Sequence, residues 1–124
     1  MKHLIYNFGI TRFPNATPSS QSSKVREEIA EMYAEEPYTE KWWFEYADVY
    51  IAAVHGEERF NTPFCKFIVY HIETSRDFIE LLPYVEKKMK INEERTWKGD
   101  KHVKPKKIIK HINYKTGQVI IEEV

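Results

Sequence analysis

The sequence predicts an all-α protein, an antiparallel helical bundle with a C-terminal β-hairpin. Apolar residues recur at helical spacing between residues 21 and 97, and Ser, Thr and Pro stand where helices would begin. After residue 104 the pattern changes to two β-branched runs around a glycine. At 124 residues the chain reads as one domain, with an irregular segment over 1–20, the bundle over 21–97 and the hairpin tail over 104–124.

Pro14, Pro18 and the polar run Asn15-Ala16-Thr17-Pro18-Ser19-Ser20 predict the irregular start, and Ser19, Ser20, Ser22 and Ser23 offer N-caps for the first helix. That helix sets Val25, Ile29, Met32 and Tyr33 on its apolar face and leaves Gln21, Lys24, Glu28, Glu31 and Glu35 as a stripe along its flank. Pro37 breaks the chain within the six-residue link Glu36 to Lys41, and so short a link predicts antiparallel neighbours. A second helix is expected from Tyr38 or Thr39 to Arg59, ending near Asn61. Thr62-Pro63 reads as N-cap and first-turn proline of a third helix through Phe64, Phe67, Ile68 and Tyr70. Thr74 or Ser75 would cap a short segment from Asp77 to Leu82, with Pro83 starting or kinking a last helix to Trp97. The runs Lys106 to Tyr114 and Gln118 to Val124 around Lys115-Thr116-Gly117 predict the hairpin.

Composition removes several function classes. The 19 basic and 19 acidic residues cancel, so no global field draws the chain to nucleic acid or to an anionic membrane. No apolar run approaches the roughly 20 residues of a membrane span, and the N-terminus lacks a signal-peptide core, which predicts a cytoplasmic protein with no membrane partner. Cys65 stands alone, excluding an intrachain disulfide and a cysteine-based zinc site, and is expected to be a buried thiol. None of the five histidines follows a Glu by three residues, so the di-iron bundle signature is absent. The aromatic second helix predicts core or subunit interface, hence a homodimer or homotetramer.

The chemistry-bearing residues are two carboxylate pairs at i, i+3, Glu28/Glu31 and Glu45/Asp48. The second interrupts the apolar stretch Trp42 to Val54, where a turn of about 100° per residue puts Glu45, Asp48, Ala52 and His55 on one narrow arc. Acids on a mostly buried helix must be neutralised, paired, bound to metal or aimed at a cleft. Both pairs can face one gap between two helices, and four oxygen ligands there suit Mg²⁺, or Mn²⁺ in its place. The plainer reading is a thin solvent stripe with Lys41 pairing Glu45. His55 shares the arc but lies about 10 Å beyond Asp48 along the axis, which favours a structural role. On the last helix Lys88, Asn92 and Arg95 fall on one face, two cations and an amide where phosphate oxygens would need them. Gln21, about two turns before Glu28, could read a base edge or serve as an ordinary helix-start glutamine.

With these residues in view, the chain resembles the MazG-like nucleotide pyrophosphohydrolases of the all-α NTP pyrophosphatase superfamily, and most of all their short single-domain phage forms. The resemblance runs through Phe13-Pro14-Asn15-Ala16-Thr17-Pro18-Ser19-Ser20-Gln21, Lys24-Val25-Arg26-Glu27-Glu28-Ile29-Ala30-Glu31, Glu45-Tyr46-Ala47-Asp48-Val49 and Lys88 to Trp97, over roughly residues 12 to 100. It implies hydrolysis of a nucleoside triphosphate to monophosphate and pyrophosphate, with Glu28, Glu31, Glu45 and Asp48 as metal-binding catalytic residues. Lys88, Asn92 and Arg95 would then contact metal shell or phosphate, in the host cytoplasm if the chain is phage-encoded. Glu27 and Glu35 are the nearest extra carboxylates for accepting a water proton, and a plain surface position is the simpler reading of each. The Trp42-Trp43-Phe44 crowd, the stretch Asn61 to Arg76 and the basic tail depart from the family pattern. Two other readings remain at this stage: a lapsed enzyme acting as an interaction protein, and a nucleic-acid-binding module using Lys98, Lys101, Lys104, Lys106, Lys107, Lys110 and Lys115. Solubilising lysines on edge strands account for that tail more simply, so nucleic acid is not an expected partner.

Overall fold

The computed structural model describes residues 1–98, 108–113 and 118–123, with side chains over 1–94. Five helices carry the fold: α1 (Lys2–Arg12), α2 (Pro18–Tyr33), α3 (Glu40–Phe60), α4 (Pro63–Glu73) and α5 (Phe78–Lys98). The backbone of β1 (Ile108–Asn113) and β2 (Gln118–Glu123) pairs antiparallel, Ile108 opposite Glu123. The turn expected at Lys115-Thr116-Gly117 lies outside the described residues.

Local chemistry sets most helix ends. Thr17 caps α2, its hydroxyl accepting from Ser20 N at 3.0 Å while Ser20 Oγ accepts from Thr17 N at 2.8 Å, with Pro18 in the first turn. The cap is therefore Thr17 rather than one of the four serines, because Pro18 has no N–H to satisfy and starts the helix at no cost. Thr39 Oγ1 accepts from Trp42 N at the start of α3, and Thr62 Oγ1 from Cys65 N at the start of α4. Between them Asn61 ends α3 in the left-handed region at φ 50°, where its short amide is tolerated. Tyr38 also has a positive φ of 65°, and its ring is held 4.9 Å from Trp42 and 6.1 Å from Trp43, contacts that offset the backbone strain of about 1–3 kcal/mol.

Two expectations fail here. The first twelve residues are not irregular: α1 covers Lys2–Arg12, and Ile5 and Gly9 are buried against the bundle. Pro14 and Pro18 act only after this helix has ended, and Ile5 gains about 2 kcal/mol from burial that the proline-rich run conceals. The short segment before Pro83 and the last helix are also one element, α5, with Pro83 inside it. Leu81 and Val85, both fully buried, flank Pro83 on the core side and hold the helix continuous across the missing hydrogen bond.

α3 is the central helix and packs on α1, α2, α4 and α5. Twelve of its residues are buried, from Trp42 to Gly56, so the expectation of a mostly buried second helix holds. Its aromatic end forms core: Trp43 stacks on Tyr84 at 5.6 Å and Phe44 meets the same ring edge-on at 5.1 Å. α2 lies antiparallel to α3, since its start bonds late α3 (Gln21 to Ala52) while its middle meets early α3 (Glu28 and Glu31 near Glu45). Gly56 admits this approach, since a Cβ there would collide with Cys65 Sγ and sit 3.1 Å from Gln21 Cγ. No helix among the described residues is long and apolar enough to cross a membrane.

Candidate metal and phosphate site

A cavity of about 380 Å³ opens between α1, α2, α3 and α5. Glu45, Asp48, Ala52 and His55 all line it, as one arc of α3 should. α2 adds Gln21, Lys24, Glu28 and Glu31, and α5 adds Lys88 and Asn92. Ile51 of α3 also lines it, and the remaining wall comes from α1 and the residue after it, including Phe8, Gly9, Arg12 and Phe13.

Three of the four predicted carboxylates converge. Glu28, Glu31 and Glu45 each bring an oxygen to within 4.8 Å of the others, a grouping that could hold a metal ion. Glu28 Oε2 and Glu45 Oε2 are buried without a hydrogen-bond partner. Burial first, then the charges of Asp48 and Glu31, pushes Glu28 up to about 8. Burial and then Asp48 push Glu45 up to about 7, while Lys88 pulls the other way. Like charges crowded into a half-buried space must either bind protons or share a cation. Hard oxygen donors with unsatisfied buried atoms fit Mg²⁺ or Mn²⁺.

Asp48 departs from the expected four-ligand set. It lines the cavity, but its Oδ2 is 3.0 Å from Lys88 Nζ, and this ammonium is almost completely buried. Lys88 is thus not a free phosphate contact. It reaches α3 because Tyr84, one turn earlier on α5, is already stacked on Trp43. Asn92 is buried beside it and lines the cavity. The side chain of Arg95 lies outside the described residues, as do those of the tail lysines. Lys41 pairs with Glu35 at 3.1 Å, not with Glu45, so the ion pair expected in the surface-stripe reading is not formed and Glu35 is already engaged. Glu27 is exposed and outside the cavity lining.

Neither a family model, a curated protein nor a solved structure matches the chain.

Gln21 is 2% exposed, and its amide donates to Ala52 O at 2.8 Å, tying α2 to α3. That bond fixes one end of the side chain in the core and makes Gln21 a brace at the cavity wall. His55 is buried beneath Gly9, where an added Cβ would sit 2.5 Å from the ring, and it lies 6.3 Å from the Phe13 ring. Burial, then Arg59 and Lys24, lowers His55 to about 4, so it is a neutral packing group at neutral pH. Arg59 donates to Phe13 O at 2.8 Å and Pro14 O at 3.0 Å, anchoring the chain where α1 ends. Lys2 holds the other end of α1, 3.1 Å from Glu73 and 3.5 Å from Glu57. Glu73 also accepts from the buried Tyr50 hydroxyl at 2.8 Å.

The sequence reading gave no site role to Arg12, Phe13 or Lys24, although Lys24 already stood on the α2 stripe. The signal for α1 was there in Ile5 and Phe8 at i, i+3, but it amounts to a single turn.

Proposed function

We propose that this chain is a metal-dependent nucleoside triphosphate pyrophosphohydrolase of the MazG-like kind, giving nucleoside monophosphate and pyrophosphate. The observation that carries the reading is the convergence of Glu28, Glu31 and Glu45, two of them with buried, unpartnered oxygens, on the wall of a cavity that also contains cations. Glu28, Glu31 and Glu45 would hold Mg²⁺, which when bound neutralises phosphate charge and lowers the pKa of water. Asp48 and Lys88, locked together, hold α5 against α3, and the Lys88 ammonium offsets part of the negative field that Asp48 adds at Glu45.

In the reaction the water oxygen bonds to the α-phosphorus as the α–β bridging P–O bond breaks, and pyrophosphate leaves with the bond's electron pair. The raised proton affinity of Glu28 and Glu45 suits the one less engaged by the cation to accept the water's proton. Exposed Tyr33, Phe67, Tyr70 and Ile79 support a homo-oligomer, which sedimentation would check.

The test is incubation with a panel of ribo- and deoxyribonucleoside triphosphates and Mg²⁺ or Mn²⁺, reading monophosphate and pyrophosphate. Turnover of at least one nucleotide, lost in Glu45→Gln with the helical spectrum intact, is the expected result. No turnover of any nucleotide, or equal turnover by Glu45→Gln, overturns the assignment.

A further inference from the structure

Lys88, the cation most clearly marked for phosphate in the sequence, is 3% exposed and already neutralised by Asp48. The pocket has two other cations. Arg12 ends α1 and Lys24 lies on α2, and both line the carboxylate cavity. Both also line an adjoining cavity of about 340 Å³, so they stand where the two spaces meet.

Neither cation is paired with a carboxylate within salt-bridge distance among the described residues. The ammonium of Lys24 lies over the Phe13 ring, 3.8 Å from its centroid. Phe13 is in turn fixed by the Arg59 bond to its carbonyl. Arg12 is close enough to Lys24 for their charges to repel, while Glu28 and Asp48 attract Lys24. Two like charges held together at the edge of an acidic cluster suit a ligand carrying several negative charges along a short chain. Arg12 would offer a planar fork for two oxygens and Lys24 a partly desolvated point charge.

We propose that Arg12 and Lys24 form the diphosphate subsite of this pocket, holding the β- and γ-phosphates of a bound nucleotide and the pyrophosphate released from it. This assignment rests on the pyrophosphohydrolase reading. It gives α1 a function: the helix carries half of the anion clamp to a site whose carboxylates come from α2 and α3.

The test is titration calorimetry of inorganic pyrophosphate at fixed free Mg²⁺, on wild type, Arg12→Gln, Lys24→Met and Arg12→Lys, with Mg²⁺ alone as a parallel titration. Arg12→Gln and Lys24→Met should each weaken pyrophosphate at least tenfold, and Arg12→Lys less than Arg12→Gln. Binding of Mg²⁺ alone should be unchanged or tighter, because a cation beside the cluster has been removed. Pyrophosphate binding within twofold of wild type in both neutral variants overturns the subsite. So does absence of binding to wild type, or loss of Mg²⁺ in parallel with pyrophosphate. If the expected pattern appears but no nucleotide is hydrolysed, the subsite stands and the reaction assignment falls; hydrolysis with pyrophosphate indifferent to both residues gives the reverse.

Discussion

Raising the pH of the metal-free protein from 6.5 to 8 should destabilise it. Unfolded, Glu28 and Glu45 titrate near 4.5; folded, they are pushed up to about 8 and about 7. In this window the folded state binds more protons than the unfolded one, so stability falls as pH rises. His55 has the opposite sign, since its folded value of about 4 lies below 6.5 and its contribution is lost as pH falls below 6.5. The unfolded imidazole is only half protonated at pH 6.5 and loses that charge within the next pH unit, so across the window His55 offsets about 0.4 kcal/mol at full value. Lys24, whose ammonium is disfavoured by burial, also opposes the carboxyls but at higher pH, so the window stops at 8. Taken at full value the two carboxyls forfeit about 2.4 kcal/mol across it. Both keep part of their surface in water, and discounting by half leaves about 1 kcal/mol, a fall in Tm of roughly 3–5 °C. The assay is thermal unfolding by circular dichroism in chelator at half-unit pH steps. Glu28→Gln should remove most of the slope. Saturating Mg²⁺ should reverse it, since the cation competes with protons, adding about 2.7 kcal/mol at a hundred times its Kd. A Tm that is flat or rises from pH 6.5 to 8 in chelator would refute the crowded-carboxyl account of the site.

Other substitutions test the framework around the cluster. Lys88→Met removes the 3.0 Å ion pair with Asp48 and should cost about 3 kcal/mol, read as a lower urea midpoint at unchanged m. Gly56→Ala forces a methyl into Cys65 Sγ and should cost about 2 kcal/mol; Cys65→Ala in the same chain should recover much of it, and strict additivity in the double-mutant cycle would contradict that contact. Gln21→Met deletes the 2.8 Å bond to Ala52 O at little change in volume and should cost about 1–2 kcal/mol, with melting curves showing whether the brace matters.

What could be read from the sequence was what neighbouring residues decide. Thr39, Asn61 and Thr62-Pro63 punctuate α3 and α4 where expected, because caps and first-turn prolines act within about four residues of backbone. The arc of Glu45, Asp48, Ala52 and His55 followed from helical geometry alone, and so did the meeting of Glu28 and Glu31 with Glu45 once a short link made two helices antiparallel. The pairing of charges could not be read this way. Whether Lys88 faces a ligand or Asp48, and whether Lys41 takes Glu45 or Glu35, depends on how far each helix is rotated and how deeply each side chain is buried. Those quantities are set by the packing of Trp43 and Tyr84 rather than by any local pattern. The short α1, too weakly amphipathic to announce itself, forms because Ile5 and Gly9 find a surface on the assembled bundle, and only that contact carries Arg12 to the pocket.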